Sequence, residues 1–288
     1  MHIGLPEKEK GTKFLQCLRK RHFQIGIGAH NALGAQLIEA AGFDFVWASG
    51  LEISVAAGVP DASILGMEKF LEAASVINRV TSLPVIADCD TGFGGINNTI
   101  YMAEQYVTAG IGGVCIEDKV FPKTNSFVEA HHQLEAVEDF TRKIENIKRI
   151  GGGNLAVIAR TEAFIAGEGV DVALARANYY AAAGADAILV HSKKSDAIEI
   201  REFMNRWVSI PIIVVPTAYA TISMSELQEI GVTAAICANQ LIRASIKSME
   251  EALTCLKNRK ELSAVDHLLA PLSTVLQMGR HGKHWQDV

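Results

Sequence analysis

The 288-residue chain reads as a (β/α)8 barrel with a C-terminal helical extension. Three observations lead there. Short apolar runs alternate with helix-length segments eight times between residues 22 and 257, the pattern of repeated strand–helix units. The runs are continuously apolar, as in Leu155-Ala156-Val157-Ile158-Ala159 and Ala187-Ile188-Leu189-Val190, so both faces of a parallel sheet are covered. Ala-Gly-Phe-Asp, Ala-Gly-Ile-Gly and Ala-Gly-Ala-Asp recur just before the second, fourth and sixth runs, each a glycine that ends a helix. A doubly wound open sheet is the alternative, but nothing matches its Gly-x-Gly-x-x-Gly phosphate loop.

In order, residues 1–21 form an N-terminal arm or helix, helical over 8–19. Strand one is 22–29 and its helix 31–41. Strand two, 43–50, opens a long loop over 51–65, and a helix follows at 67–79. Strand three is 84–90, the next helix 97–109, strand four 113–118. A second long loop runs to 132, then a helix over 134–150. Strand five (155–160), a helix (170–183), strand six (187–192) and a helix (196–207) continue the pattern. Strand seven (211–217), a short helix (223–230), strand eight (233–238) and a last barrel helix (240–257) complete it. The tail, 258–288, carries Leu262, Val265, Leu268, Leu269, Leu272, Val275 and Leu276 at helical spacing and is expected to pack on the barrel or on a neighbouring subunit. With no linker, low-complexity run or charge block inside 22–257, residues 1–288 read as one domain.

Composition narrows the function. The chain is 49% hydrophobic, its mean hydropathy is +0.18, and it can bury a large core. A formal net charge of −5 argues against nucleic acid and anionic membranes as partners. No apolar run approaches the roughly 18 residues of a membrane span, and the first residues lack a signal-peptide core. The expectation is a cytoplasmic protein. Cys17, Cys89, Cys115, Cys237 and Cys255 are scattered with no Cys-x-x-Cys pair and no adjacent His, so all five are expected to be reduced and non-catalytic.

Chemistry gathers at the carboxyl ends of the strands, where such barrels place it. Those ends supply Trp47, Ser49, Gly50 and Leu51; Asp88 and Asp90; Glu117; Arg160; His191. Alternation along a strand turns Asp88 and Asp90 the same way and Cys89 the other. Carboxylates converging with no basic partner beside them call for a divalent cation, and all-oxygen ligands suit Mg2+ or Mn2+. Arg160 can grip an anion bidentately, although a salt bridge to Glu162 or Asp88 would occupy it equally well. His191 is either a site imidazole or a satisfied core histidine. The stretch 120–126, with Lys123, Thr124, Asn125 and Ser126, is rich in groups that reach a phosphate.

Here the sequence resembles a known family. Glu117-Asp118-Lys119, then Phe121-Pro122-Lys123-Thr124-Asn125-Ser126, placed after the Asp88-Cys89-Asp90-Thr91-Gly92-Phe93-Gly94 segment, looks like the signature of phosphoenolpyruvate mutases of the isocitrate lyase superfamily. The resemblance covers most of 20–257. It implies interconversion of phosphoenolpyruvate and phosphonopyruvate, with Mg2+ held directly by Asp88 and through water by Asp61, Asp90 and Glu117. Asp61, in the loop after strand two, enters by resemblance alone. Arg160 and His191 would contact the phosphoryl group, Asn125 hold or receive it, and Ser49, Gly50, Leu51, Thr124 and Ser126 bind substrate against Trp47. Residues 119–126 would be a mobile lid bringing in Lys123 and Asn125. The resemblance also implies a homodimer or homotetramer with its last barrel helix swapped, and a downstream enzyme that consumes phosphonopyruvate. Superfamily lyases carry a Lys-Lys/Arg-Cys-Gly-His loop where this chain has no Cys, which argues against carbon–carbon cleavage by that route. Phosphonopyruvate hydrolase is the nearer rival, and Lys123-Thr124-Asn125 favours the mutase. After Ser126 the chain departs, with Phe127-Val128-Glu129-Ala130-His131-His132 where mutases more often have Leu-His-Asp-Gly.

Overall fold

Alternate residues of a strand face opposite sides, and here both sides are buried. Eight parallel strands close in chain order: β1 (Gln24–Ala29), β2 (Phe45–Ala48), β3 (Val85–Asp88), β4 (Gly113–Glu117), β5 (Ala156–Thr161), β6 (Ala187–Val190), β7 (Ile212–Val214) and β8 (Ala234–Cys237), which pairs back to β1. Phe45, Trp47, Ile86, Cys115, Ile158, Leu189, Ile213 and Ile236 fill the interior. Val46, Val85, Val114, Val157, Ile188 and Val214 pack outward against the helices. This computed structural model describes residues 7–278, so the first part of the expected arm and the tail beyond 278 lie outside the described residues.

The helices are α1 (Glu7–Arg19), α2 (Ala32–Ala40), α3 (Gly50–Ala56), α4 (Met67–Val80), α5 (Ile96–Thr108), α6 (Val137–Gly151), α7 (Gly169–Ala182), α8 (Ile198–Arg206), α9 (Met224–Glu229), α10 (Gln240–Arg259) and α11 (Leu272–Met278). A 3-10 helix, Leu262–Leu268, precedes α11. The (β/α)8 barrel and its C-terminal extension thus stand as read from the sequence. In the described residues no helix is long and apolar enough to cross a membrane.

The repeated Ala-Gly strings do two jobs. Gly42, Gly110 and Gly184 take φ of 80°, 68° and 96°, the left-handed turn that ends a helix. The aspartates that follow in two of them stitch strands together. Asp44 Oδ2 accepts from Ile25 N at 2.8 Å, and Asp186 Oδ2 from Val157 N at 2.9 Å.

The barrel floor is closed by α1. Phe14, Leu15 and Leu18 are buried beneath the strands, with Phe14 edge-on to Phe45 at 5.1 Å. Lys10, 4% exposed, is held at that floor by the carbonyls of Asn78 and Thr81, each at 2.7 Å. Chemistry is therefore confined to the opposite mouth.

Two sequence expectations need correction. Residues 51–65 are not all loop, because Ser49 caps a helix there: its hydroxyl accepts from Glu52 N and starts α3 at Gly50. The helix expected from 134 starts at Val137, because residues 133–135 instead pair back onto the start of the second long loop. Val120 N–H donates to Gln133 O at 3.0 Å and Glu135 N–H to Asp118 O at 2.8 Å. The two ends of that loop are thereby tied to each other.

Candidate active site

Asp88 is the last residue of β3 and lies 9% exposed at the mouth. Its two oxygens accept from Gly50 N and Asp90 N, both at 3.3 Å. Gly50 is needed there, since a Cβ would come within 3.0 Å of Asp88 Oδ2. Burial is the main force raising the Asp88 carboxyl above the ordinary range. Asp61 and Glu117 add to it, against Lys123 and Arg160.

Asp90 reaches the same place by a route the sequence did not indicate. The strand ends at Asp88, and Asp90 sits in a turn at φ 50°, a left-handed position that aspartate tolerates better than most residues. The turn is held by Glu117 N–H to Asp90 O at 2.7 Å. Burial, reinforced by Asp88, Asp61 and Glu117, pushes the Asp90 carboxyl up to about 7 even though Lys123 opposes it.

The expectation that the acids lack basic partners is overturned. Lys123, 6% exposed, reaches from the second long loop to Asp61 Oδ1 at 3.0 Å and Asp90 Oδ1 at 2.8 Å. Asn125 Nδ2 donates to Asp61 Oδ2 at 2.7 Å. Ser63 Oγ accepts from Lys123 N at 3.1 Å and lies 3.4 Å from Asp90 Oδ2. Residues 119–126 thus lie folded down across the acids.

The other half of the mouth is built on β4, β5 and β6. Glu117 and Arg160 are register partners on β4 and β5, and Arg160 Nε lies 3.3 Å from Glu117 Oε2. The alternative weighed for Arg160 also holds, because Nε is 2.5 Å from Glu162 Oε1. Its Nη2 meets His191 Nδ1 at 2.8 Å and Ser126 Oγ at 3.2 Å. His191, 3% exposed, is kept neutral by burial first and then by Arg160, against the pull of Glu162. Phe127 stands edge-on over its ring at 5.8 Å.

A cavity of about 60 Å³ lies between these halves. It is lined by ten of the residues expected from the sequence: Trp47, Ser49, Leu51, Asp61, Asp88, Lys123, Asn125, Ser126, Arg160 and His191. Gly50, Asp90 and Glu117 stand just behind that wall. Thr124, expected to bind substrate, does not line it. Lys119 Nζ draws the Thr124 carbonyl inward at 2.9 Å, and the residue lines a separate pocket on the outer side of the loop. No cysteine lines the cavity, and burial raises the thiols of Cys89 and Cys115 well above their usual range.

Sequence reasoning missed Glu162, Thr217 and Asn239. Thr217 and Asn239 come from the ends of β7 and β8 and line the cavity. Their side-chain oxygens, Oγ1 and Oδ1, have no hydrogen-bond partner among the described residues. Asn239 stands at the N-cap of α10 without capping it, a signal invisible in the sequence, where an Asn before a helix reads as a cap.

The donors fit a divalent cation. Among the described residues, Asp61 Oδ1, Asp90 Oδ1 and Glu117 Oε1 are buried without a hydrogen bond of good geometry and face lysines as ion pairs. Among the described residues no three such side chains converge closely enough to ligate an ion directly. That suits Mg2+, which keeps several waters and takes one or two carboxylates.

Fold and site together define a (β/α)8 barrel whose mouth is an acidic cluster beneath a folded-down polar loop. The family model described as Phosphoenolpyruvate phosphomutase matches residues 14–257, and the chain belongs to that family. It is 36% identical over 272 residues to the phosphoenolpyruvate phosphomutase of Tetrahymena pyriformis, covering 93% of this chain and 91% of that protein. The crystal structure of phosphoenolpyruvate phosphomutase from Streptomyces platensis subsp. rosaceus superposes with a TM-score of 0.89 at 42% identity, covering 92% and 94% of the two chains. A phosphonopyruvate hydrolase solved in complex with oxalate and Mg++ is also near, with a TM-score of 0.88 at 35% identity and 94% of each chain covered.

Proposed function

We propose that this protein interconverts phosphoenolpyruvate and phosphonopyruvate. The observation that carries the reading is the loop 119–126 lying over the acids, with Lys123 and Asn125 turned into the cavity. That arrangement encloses a phosphoryl group in transit and keeps water from it. The absence of a cavity cysteine supports phosphoryl transfer over thiol-dependent carbon–carbon cleavage.

In this reading Asp88 would hold Mg2+, or Mn2+, and Asp61, Asp90 and Glu117 would support it through water. When bound, the ion neutralises the pyruvyl oxygens and the enolate charge that develops on them. The C3–P bond of phosphonopyruvate breaks, its electron pair stays on the enolate, and the enol oxygen takes the phosphoryl group. Arg160 and His191 hold the phosphoryl oxygens during that passage. Asn125 steadies the group, or accepts it briefly. Ser49 and Leu51, which line the cavity at the start of α3, bind the carboxylate end against Trp47, with Gly50 between them held to Asp88. Ser126 closes the wall beside Arg160.

We place the protein in the cytoplasm as a homodimer or homotetramer joined through α10. No residue of that 20-residue helix is buried, and Met249 and Leu253 lie on its exposed face. Leu262, Leu269, Leu272, Val275 and Leu276 extend the apolar surface, which supports exchange of this helix between subunits. Phosphonopyruvate formation is the uphill direction, so a biosynthetic role calls for a second enzyme that consumes it.

The test is phosphorus NMR of purified protein with phosphonopyruvate and Mg2+, followed over time. A growing phosphoenolpyruvate signal supports the mutase. Inorganic phosphate alone transfers the chain to the hydrolase reading, and no conversion with metal bound overturns both.

A further inference from the structure

We propose that Glu162 is a positioning residue through which the lid, residues 119–126, sets the aim of Arg160 and His191. The inference rests on the function proposed above. Glu162 follows β5, is fully buried, and does not line the cavity. Whatever it does for a substrate it does through its neighbours.

Its two oxygens divide the work. Oε1 takes Arg160 Nε at 2.5 Å and faces His191 Nδ1 at 2.9 Å, both groups carried by barrel strands or their ends. Oε2 takes Ser126 Oγ at 2.5 Å and Lys119 Nζ at 3.0 Å, both carried by the lid. Ser126 closes the circuit, accepting from Lys119 Nζ at 2.6 Å and Arg160 Nη2 at 3.2 Å. The backbone beneath is pinned, since Glu162 N–H donates to Asp118 Oδ1 at 2.8 Å. Asp118 in turn is held by the Tyr180 hydroxyl at 2.7 Å and Arg176 Nη1 at 3.2 Å.

Burial alone would favour the acid form of Glu162, but Arg160, His191 and Lys119 hold it well below the usual carboxylate range. The charged form is therefore the one present, and a buried carboxylate oxygen without a donor is costly. Lifting residues 123–126 takes Ser126 from Oε2 and strips Lys119 Nζ of the Thr124 carbonyl and Ser126 hydroxyl that aim it there. The carboxylate then leans on Arg160, which is drawn toward it and away from the cavity and takes its partner His191 along. Aimed Arg160 and an open lid exclude each other, so the phosphoryl-holding pair is assembled only when water is shut out.

Two variants test this, Ser126→Ala and Glu162→Gln. Hydrogen exchange of the amides in 119–126 is expected to quicken about tenfold or more in each, the loss of a hydrogen bond to a charged group. This arm needs no turnover, so it reads the inference even where phosphonopyruvate is not the substrate. In the turnover arm, phosphorus NMR follows phosphonopyruvate with Mg2+. Each variant is expected to release a larger share of inorganic phosphate than the wild type, with kcat lowered and KM little changed. The double variant is expected to lose no more than the stronger single one, because both cut the same link. Unchanged lid exchange in Ser126→Ala overturns the proposal, and so does an unchanged product ratio with effects that multiply. Ser126 lies on the loop, so that variant decides the matter should Glu162→Gln fail to fold.

Discussion

Replacing Lys123 by Met keeps the length and apolar stem of the side chain and removes only the ammonium. That ammonium lies 3.0 Å from Asp61 Oδ1 and 2.8 Å from Asp90 Oδ1, with all three side chains 6% exposed or less. Removing one partner of a buried ion pair costs about 3–5 kcal/mol. Here the loss is capped, because Asp90 already titrates at about 7 with Lys123 in place. Without Lys123 it takes up a proton at neutral pH, and Asp61 is the carboxylate left stranded. The lower end, about 3 kcal/mol, is therefore expected, or roughly 6 °C in Tm at about 2 °C per kcal/mol for a chain of this size. In the proposed reading Mg2+ sharpens the test, because ion and ammonium would compete for the same carboxylates. Free Mg2+ at about 100 times its Kd stabilises by about 2.7 kcal/mol, so the variant should bind Mg2+ more tightly and recover much of its loss. Calorimetric scans at pH 7 with and without Mg2+ read both effects. A Tm equal to the wild type's, or a smaller gain from Mg2+ than the wild type shows, refutes the reasoning.

Asn125→Ala is expected to abolish turnover while Mg2+ affinity, measured by isothermal titration, stays intact; joint loss of both would assign Asn125 to the metal site instead. Between its ordinary 3.8 and about 7, folded Asp90 keeps a proton that the unfolded chain has released. Stability is accordingly expected to fall as pH rises through that window and to level off above it. Mg2+ affinity should climb over the same window as the ion displaces the proton. An Mg2+ Kd that is flat from pH 5 to 8 would count against this account of Asp90. Tyr180→Phe strips one donor from buried Asp118 and should cost about 1–3 kcal/mol in urea denaturation. The lower end is expected because Arg176 and Thr161 still donate to Asp118.

What the sequence made legible follows from how each residue is placed. Asp88, Glu117, Arg160 and His191 sit at or just beyond strand ends, and in a closed parallel barrel those ends share one mouth, so counting strands locates them. Asp90 joins Asp88 through a left-handed turn and not through the alternation of the pleat, which a strand pattern does not reveal. Loop-borne groups obey no such period. Within Lys123-Thr124-Asn125-Ser126 the chain turns Thr124 outward, and its three neighbours line the cavity. Glu162 looks like any acid after a strand, and only the folded lid shows that four side chains converge on it.

Acids without bases would call for a divalent ion, yet bases stand beside these acids. Lys119, Lys123 and Arg160 came from a loop and a strand end, so their proximity to the acids depended on tertiary structure. The count still favours an ion. Asp61, Asp88, Asp90, Glu117 and Glu162 are five buried acids facing three cations, with His191 held neutral. Asp118 is balanced separately by Arg176. Fully ionised, these five acids exceed the three cations by two charges, an excess that a divalent cation would offset. Without an ion, proton uptake on Asp90 and Asp88 relieves part of the excess, and burial and mutual repulsion accordingly raise both carboxyls. In the proposed reading, metal, proton and the Lys123 ammonium are alternative answers to one electrostatic problem, and the loop residue that stands in for the metal is the same one that would close over the substrate.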